Sequence, residues 1–305
     1  MSHLQAAASH PEPRPALTAI DLALLGVVVA WGFGYVAFAT GLREIPVGLF
    51  NLLRYVIATP LFWLILRRSG EDWRLPRADW PRTVATGLIG VVVYSLVFSS
   101  AAKYTTAANA SLLLALSPIW GVLMGWASGR GAPSLRFGLG SLIAFSGAAM
   151  VIAFGSGRLS FSLQSLHGDL MALAASMIWA WYGVVAQPLL KAHSGVKVQA
   201  WINSVALVAL LILQVPTALS FNWSALSATG WLSLLYVALV VTVFGHIVWY
   251  TAIARIGPAR VMLVMYLIPA MAAACGAIFL GQPFSLLQVL GASIALGGVA
   301  LVRRV

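Results

Sequence analysis

Charge is what this 305-residue chain has least of, and negative charge least of all. Seven acidic residues stand against eighteen Lys and Arg. They are Glu12, Asp21, Glu44, Glu71, Asp72, Asp79 and Asp169, and none falls in the middle of an apolar run. Charged residues form 8% of the chain, against about 25% in soluble domains. That excludes a large soluble domain. Proton-coupled carriers commonly use an intramembrane carboxylate as the relay, and no acidic residue here is placed to serve as one. Cysteine is nearly absent: Cys275 stands alone in an apolar run, which excludes an intramolecular disulfide and a cysteine metal cluster. No P-loop is present, so this chain does not drive pumping with ATP. The first nineteen residues, in which Arg14 is the only Lys or Arg, lack the short apolar core and small-residue cleavage site of a signal peptide. The first apolar run is therefore expected to be retained.

What is abundant is apolar: 61% of residues are hydrophobic and mean hydropathy is +0.95. Apolar runs between polar or Pro/Gly punctuation predict spans near 20–40, 47–66, 83–102, 107–127, 135–154, 168–189, 198–216, 231–253, 258–280 and 286–302. Short polar breaks around Lys103–Thr106 and Arg255–Pro258 predict two tight helical hairpins.

Basic residues set the direction. With the N-terminus inside, the inner loops hold Arg14, Arg67, Arg68, Arg74, Arg77, Arg82, Arg130, Arg136, Lys191, Lys197, Arg255, Arg260, Arg303 and Arg304. The outer loops hold Arg43, Lys103 and Arg158, and Arg54 lies within a span. Positive loops stay cytoplasmic, so both termini are expected inside. The net charge of +11 is thus a topology signal, and nucleic acid is not an expected partner.

Landmarks recur between the two halves. Asp21, Leu22 and Trp31 return 148 positions later as Asp169, Leu170 and Trp179. Pro118, Gly140 and Gly147 return 151 positions later as Pro269, Gly291 and Gly298. An odd number of spans per half inverts the second half relative to the first. The expected fold is therefore all-α and integral to the membrane: ten transmembrane helices in two inverted five-helix repeats around a central cavity. Residues 1–19 read as a disordered cytoplasmic tail, 20–154 as the first repeat, 155–167 as a linker and 168–305 as the second repeat.

Candidate site residues come from polar and aromatic groups at span midpoints. Trp31 and Trp179 occupy equivalent midspan positions, where interfacial belts do not explain tryptophan. Tyr35 lies one turn beyond Trp31 on the same face. Tyr94, Tyr182, Tyr250 and Tyr266 offer apolar rings whose hydroxyls need partners when buried. His246 is the group in the spans that ordinarily titrates near neutral pH, which makes it a candidate for proton coupling beside its plain reading as a hydrogen-bonded core histidine. Two readings stand for Arg54: snorkelling to the outer interface, or gating the outer mouth and holding a substrate carboxylate. Pro118 and Pro269 interrupt equivalent helices and are candidate hinges, or plain curvature for packing. Asp21 and Asp169 open the first and sixth spans, where N-capping explains them. Small residues four apart, Gly121 with Gly125 and Ala273 with Ala277, fit close helix contact.

Several stretches resemble a known superfamily. The run from Lys103 to Pro118 (KYTTAANASLLLALSP) resembles the fourth-helix signature of the EamA-type ten-helix exporters of the drug/metabolite transporter superfamily. Gly257 to Pro269 (GPARVMLVMYLIP) looks like that family's ninth helix. Gly281 to Ser285, with Leu290, Gly291, Ala292, Gly297 and Gly298, resembles its closing stretch, and Asn51 to Tyr55 with Ala58 its second helix. The similarity spans roughly residues 20–304, and the aromatic content looks most like the YddG-type amino-acid exporters. It implies ten helices around a cavity open alternately to each side, and export of small metabolites. The chain departs from the family where glutamates are frequent: Ser117 and Ile268 stand before the two prolines, and Arg130 and Gln282 follow Gly129 and Gly281.

The expected activity is secondary transport outward across a bacterial-type cytoplasmic membrane, most plausibly of neutral or aromatic amino acids, with a monomer as the simplest unit. Organic cations are the second choice, because their carriers usually add an acidic residue. An intramembrane enzyme is a distant alternative: Gly291-Ala292-Ser293 loosely resembles a serine protease motif with His246 as base, but Ile294 stands where Gly is expected. A channel is a further alternative. No cofactor or metal is expected. Transport running down the solute gradient and proton coupling through His246 are both open.

Overall fold

The computed structural model describes residues 18–105, 107–129, 132–155, 163, 165–281, 283 and 285–303. Most of the expected tail and linker, and the side chains of Arg14, Lys103, Arg130, Arg158, Gln282, Arg303 and Arg304, lie outside what is described. Among the described residues the regular structure is helical throughout. The membrane-length elements are α1 (Ala19–Gly41), α2 (Val47–Ser69), α3 (Arg77–Phe98), α4 (Asn109–Ala127), α5 (Leu135–Ala153), α6 (Leu166–Ala192), α7 (Gly195–Ser220), α8 (Ala228–Ile256) and α9 (Pro258–Phe279). The closing helix, α10 (Leu286–Arg303), is shorter. Each core-facing helix leaves an apolar stripe outward, such as Leu22, Leu25 and Val29 on α1 and Val208, Ile212 and Leu219 on α7. Exposed leucines and valines of that kind suit hydrocarbon, and the backbone is satisfied within each helix.

Helix ends gather at two levels. At one, which carries Arg67, Arg68, Arg74, Arg77 and Arg82, His193 pairs with Asp79 at 2.8 Å and the Ser194 amide donates to Glu71. At the other, Glu44 accepts from the Ser227 amide and hydroxyl at 2.8 and 2.7 Å, and the Ser285 hydroxyl donates to the Phe154 carbonyl. Hydrogen bonds from the Ser227 hydroxyl and then its amide hold Glu44 below the usual carboxylate range. The expected hairpins are present: α3 runs on to Tyr104 just before α4, and Gly257, at φ 83°, makes the turn from α8 to α9.

Two features repeat at the 151-residue offset that the sequence landmarks set. Thr86–Val93 in α3 and Val237–Phe244 in α8 are both π-helical. The second feature is a break at each proline. α4 pauses after Leu114 and restarts at Ser117 with Pro118 in its first turn, and α9 tightens to a 3-10 helix over Leu263–Leu267 and restarts at Ile268 with Pro269. Proline suits a first helical turn because its missing N–H would have no partner there.

Where the repeated glycines lie, α5 and α10 pack backbone against backbone. Gly147 faces Gly291 and Ala295, and Gly140 faces Gly298 and Val302, so the two helices run antiparallel. A Cβ on Gly291 would stand 2.8 Å from the Gly147 carbonyl oxygen, and one on Gly298 2.7 Å from that of Gly140. The expected small-residue stripe on α4 is corrected: Gly121 packs on Met262, but a Cβ on Gly125 would meet nothing within 4 Å.

Candidate functional site

Helical spacing brings the site together from both halves of the chain. On α1, Trp31 and Tyr35 are four residues apart and share one face. Trp179 and Tyr182 project from α6, and His246, Trp249 and Tyr250, at i, i+3 and i+4, from one face of α8. Trp31 meets Trp179 edge to face at 5.9 Å, Trp249 at 4.9 Å and His246 at 6.2 Å between ring centroids. Trp179 in turn meets Tyr94 of α3 at 5.1 Å and Tyr182 at 5.9 Å. Tyr250 closes the chain, 5.3 Å from Tyr182 and 6.0 Å from His246.

Hydrogen bonds fix these rings. The Trp31 indole donates to the Val241 carbonyl at 3.0 Å, inside the π-helical stretch of α8. The Trp179 indole donates to the Met265 sulfur at 3.1 Å, beside the break in α9. Each central tryptophan is therefore tied to one of the irregular segments. Glycine makes room for the contacts: a Cβ at Gly245 would collide with the Trp31 indole, and one at Gly90 would stand 2.6 Å from the Tyr182 ring. A polar column continues from the Tyr182 hydroxyl, which accepts from Gln199 at 3.1 Å, to Asn203, which donates to Gln199 at 3.0 Å. Arg54 Nε, Asn203 Oδ1 and His246 Nδ1 are among the buried atoms that have no hydrogen-bond partner. Such groups are ordinarily paired, so each could take a bond from a ligand.

Tyr35 keeps 40% of its surface accessible and shares the face of α1 that carries Trp31. At 100° per residue it lies roughly 120° around α1 from the outward stripe of Leu22, Leu25 and Val29. An accessible ring on an inward face lines an internal space.

Arg54 turns into the bundle. Its guanidinium lies 4.4 Å from the Tyr55 ring centroid and 5.8 Å from that of Phe38, and donates to the Tyr55 hydroxyl. Tyr94 and His246 are within its electrostatic reach. The head group is thus held by rings of α1 and α2.

Of three further expectations, two are revised and one, at Asp21, is met. Tyr266 is fully buried but faces α5 and α10, among Ala144, Ala148, Ala295 and Val299, with Phe145 at 6.3 Å; it is not part of the aromatic cluster. Asp21 does act at the start of α1, as the partner of the Thr18 cap in a capping box. Asp169 caps nothing: its carboxylate accepts from Thr105, from Asn109 at 3.0 Å and from Ser165 at 2.9 Å, which ties α6 to the α3–α4 hairpin. Sequence reasoning missed Trp249, Tyr55 and Gln199. Trp249 could have been found, since it follows His246 by three positions on a helix.

Two open clefts lie at the ends of the bundle, away from this cluster. One of about 320 Å³ lies between α4, α5, α9 and α10 beside Trp126 and Arg260; one of about 440 Å³ is lined by Glu44, Thr217 and Phe221. Among the described residues no three His, Cys, Asp or Glu side chains converge.

Comparison with known proteins agrees with this architecture. A probable terminal-alkyne amino-acid exporter of Streptantibioticus cattleyicolor is 28% identical over 283 residues, 92% of each chain. An uncharacterized transporter of Archaeoglobus fulgidus is 24% identical, over 92% of this chain and 96% of its own. A crystal structure 18% identical in sequence superposes with a TM-score of 0.80, covering 93% of this chain and 98% of that one, which shows a shared fold. Residues 18–153 and again 166–304 match the EamA-like transporter family, and with nearly its whole length so matched, the chain belongs to that family of membrane transporters.

Proposed function

We propose that this transporter exports neutral and aromatic amino acids, or close relatives of them, from the cytoplasm by alternating access. The arginine-rich end of the bundle is cytoplasmic and carries both termini, in a bacterial-type inner membrane. The halves are inverted repeats, a reading supported by the antiparallel packing of α5 on α10 and by the matched irregularities of α3 with α8 and α4 with α9. One observation carries the proposal: a continuous aromatic cluster drawn from both halves, whose two central tryptophans are bonded to irregular helix segments. Movement at those segments would rebuild the cluster and pass its contents from one side to the other. The Streptantibioticus relative, described as an amino-acid exporter, supports the substrate class.

Organic cations are the second reading, favoured by three indole rings that offer cation–π contact. Arg54 in the same interior opposes it by like-charge repulsion. The enzyme reading fares worse: Ser293 donates to the Val289 carbonyl of its own helix and is exposed on the outside of the bundle.

The test is efflux from liposomes holding the purified full chain and labelled amino acids, with pH matched or stepped across the bilayer. Saturable efflux above empty liposomes is expected. No amino-acid flux under any gradient would sink the substrate assignment. An unchanged pH response in His246→Ala would remove coupling through His246.

A further inference from the structure

We infer that Arg54 is the carboxylate-binding residue of this transporter, so that every good substrate carries a carboxylate or an equivalent oxyanion. The inference rests on the amino-acid reading for the rest of the ligand, but the anion site itself stands on its own geometry.

Arg54 is seven residues inside the start of α2, about 10 Å along the helix. A guanidinium partly withdrawn from water normally takes hydrogen-bond or charge partners in exchange. Here its described contacts are the Phe38 and Tyr55 rings and the Tyr55 hydroxyl, while Nε is buried with no partner. No described carboxylate forms an ion pair with it. The two acids at its end of the bundle are engaged elsewhere, Glu44 with Ser227 and Asp169 with Thr105, Asn109 and Ser165. The Tyr55 hydroxyl accounts for one of the guanidinium's donors. Its planar fork matches the two oxygens of a carboxylate, which is the geometry Arg binds best.

Position supports the same assignment. Arg54 is only half-buried, and Tyr35, the accessible ring that lines the internal space, and Arg54 are both within electrostatic reach of Tyr94. His246 is also within reach of Arg54 and stands edge to face with Trp31. A zwitterion seated with its carboxylate on Arg54 thus extends its remaining groups toward the tryptophans. The ammonium group then meets indole faces and unpaired polar atoms, without requiring an acidic residue.

The experiment measures binding by intrinsic tryptophan fluorescence to the purified full chain, using four probes with a common ring. L-phenylalanine carries both charges, 3-phenylpropionate only the carboxylate, L-phenylalaninamide and phenethylamine only the ammonium. Phenylalanine and phenylpropionate should bind about ten- to a hundredfold more tightly than the other two. That preference should vanish in Arg54→Gln and persist in weakened form in Arg54→Lys. The wild-type protein gives a second readout that needs no variant: arylglyoxal modification of Arg54, followed by peptide mass spectrometry, should be slowed by the two carboxylates and not by the amide. Equal binding of phenylalanine and its amide, or equal modification with and without carboxylate, overturns the assignment and leaves the amino-acid reading intact. Binding of phenylpropionate but not phenylalanine keeps the anion site and removes the amino-acid reading. Binding of neither acid overturns both.

Discussion

The α5–α10 seam and the aromatic cluster on α1, α6 and α8 use opposite means of packing. In the seam, glycines Gly140, Gly147, Gly291 and Gly298 bring backbone onto backbone, and the clustered buried residues that the two helices themselves add are Ala144, Ala148, Ala295, Val299 and Val302. The cluster packs the largest side chains in the chain at ring distances of 4.9 to 6.3 Å and leaves buried nitrogen and oxygen atoms unpaired. A seam of small residues has one close-packed arrangement and no rotamers to change, whereas large rings held by single hydrogen bonds can repack. The difference supports the proposal that the seam holds the two halves together while the cluster handles the substrate.

The largest effect should come from filling the seam. Gly147→Leu places a branched side chain against the backbone of Ala295 and Gly291, where neither helix can yield by a rotamer change. A cost of about 3 kcal/mol is expected, seen as loss of monodisperse protein and a lowered melting temperature. Gly125→Ala, on a helix surface with no neighbour within 4 Å, should leave both unchanged or slightly improved. Equal tolerance at the two glycines would erase the distinction between seam and surface.

A smaller structural effect and a larger functional one should follow in the cluster. Trp179→Ala removes a ring that touches Trp31, Tyr94, Tyr182 and Trp249. Substrate efflux should fall roughly tenfold or more, as expected when a central aromatic anchor is truncated, while folded yield stays above that of Gly147→Leu. Loss of folded protein matching that of the seam variant would make Trp179 a packing residue only.

The smallest effect belongs to the exposed tie between Glu44 and Ser227. A carboxylate whose folded value lies below its ordinary 4.5 stabilises the folded state above that pH, and the contribution fades as pH falls through the folded value. Glu44→Gln should therefore melt slightly below wild type at pH 7, and the two should converge as pH drops under 4.5. A difference that grows in acid would contradict the assigned hydrogen bonds.

Much of the architecture could be read before any coordinate, and the reason is the solvent. A bilayer requires helices of fixed length, so apolar runs such as 47–66 and 258–280 mark elements directly, with ends displaced by a few residues where caps such as Ser194 and Ser227 extend them. Of the candidate site, Trp31, Trp179, Tyr182, His246 and Tyr250 do come together, with Tyr94 at the edge of the group. Tyr266 does not, because its ring packs against α5 and α10, and midspan position alone does not say which way a helix face turns. Asp169 was legible as polar but not as a tertiary tie, since Thr105 and Asn109 are about sixty positions away in the chain.

The sequence by itself determined the class of the molecule, its helix positions and the pairing of landmarks between halves, because hydropathy, charge bias and internal repetition are properties of a linear string. Only the tertiary structure decided what each polar residue meets. It set the Arg54 guanidinium against Phe38 and Tyr55 without a described counter-ion, moved Tyr266 out of the cluster, and showed the repeated glycines in contact with one another. Those outcomes depend on helix rotation and crossing, which are set by packing across the bundle and not by any one segment.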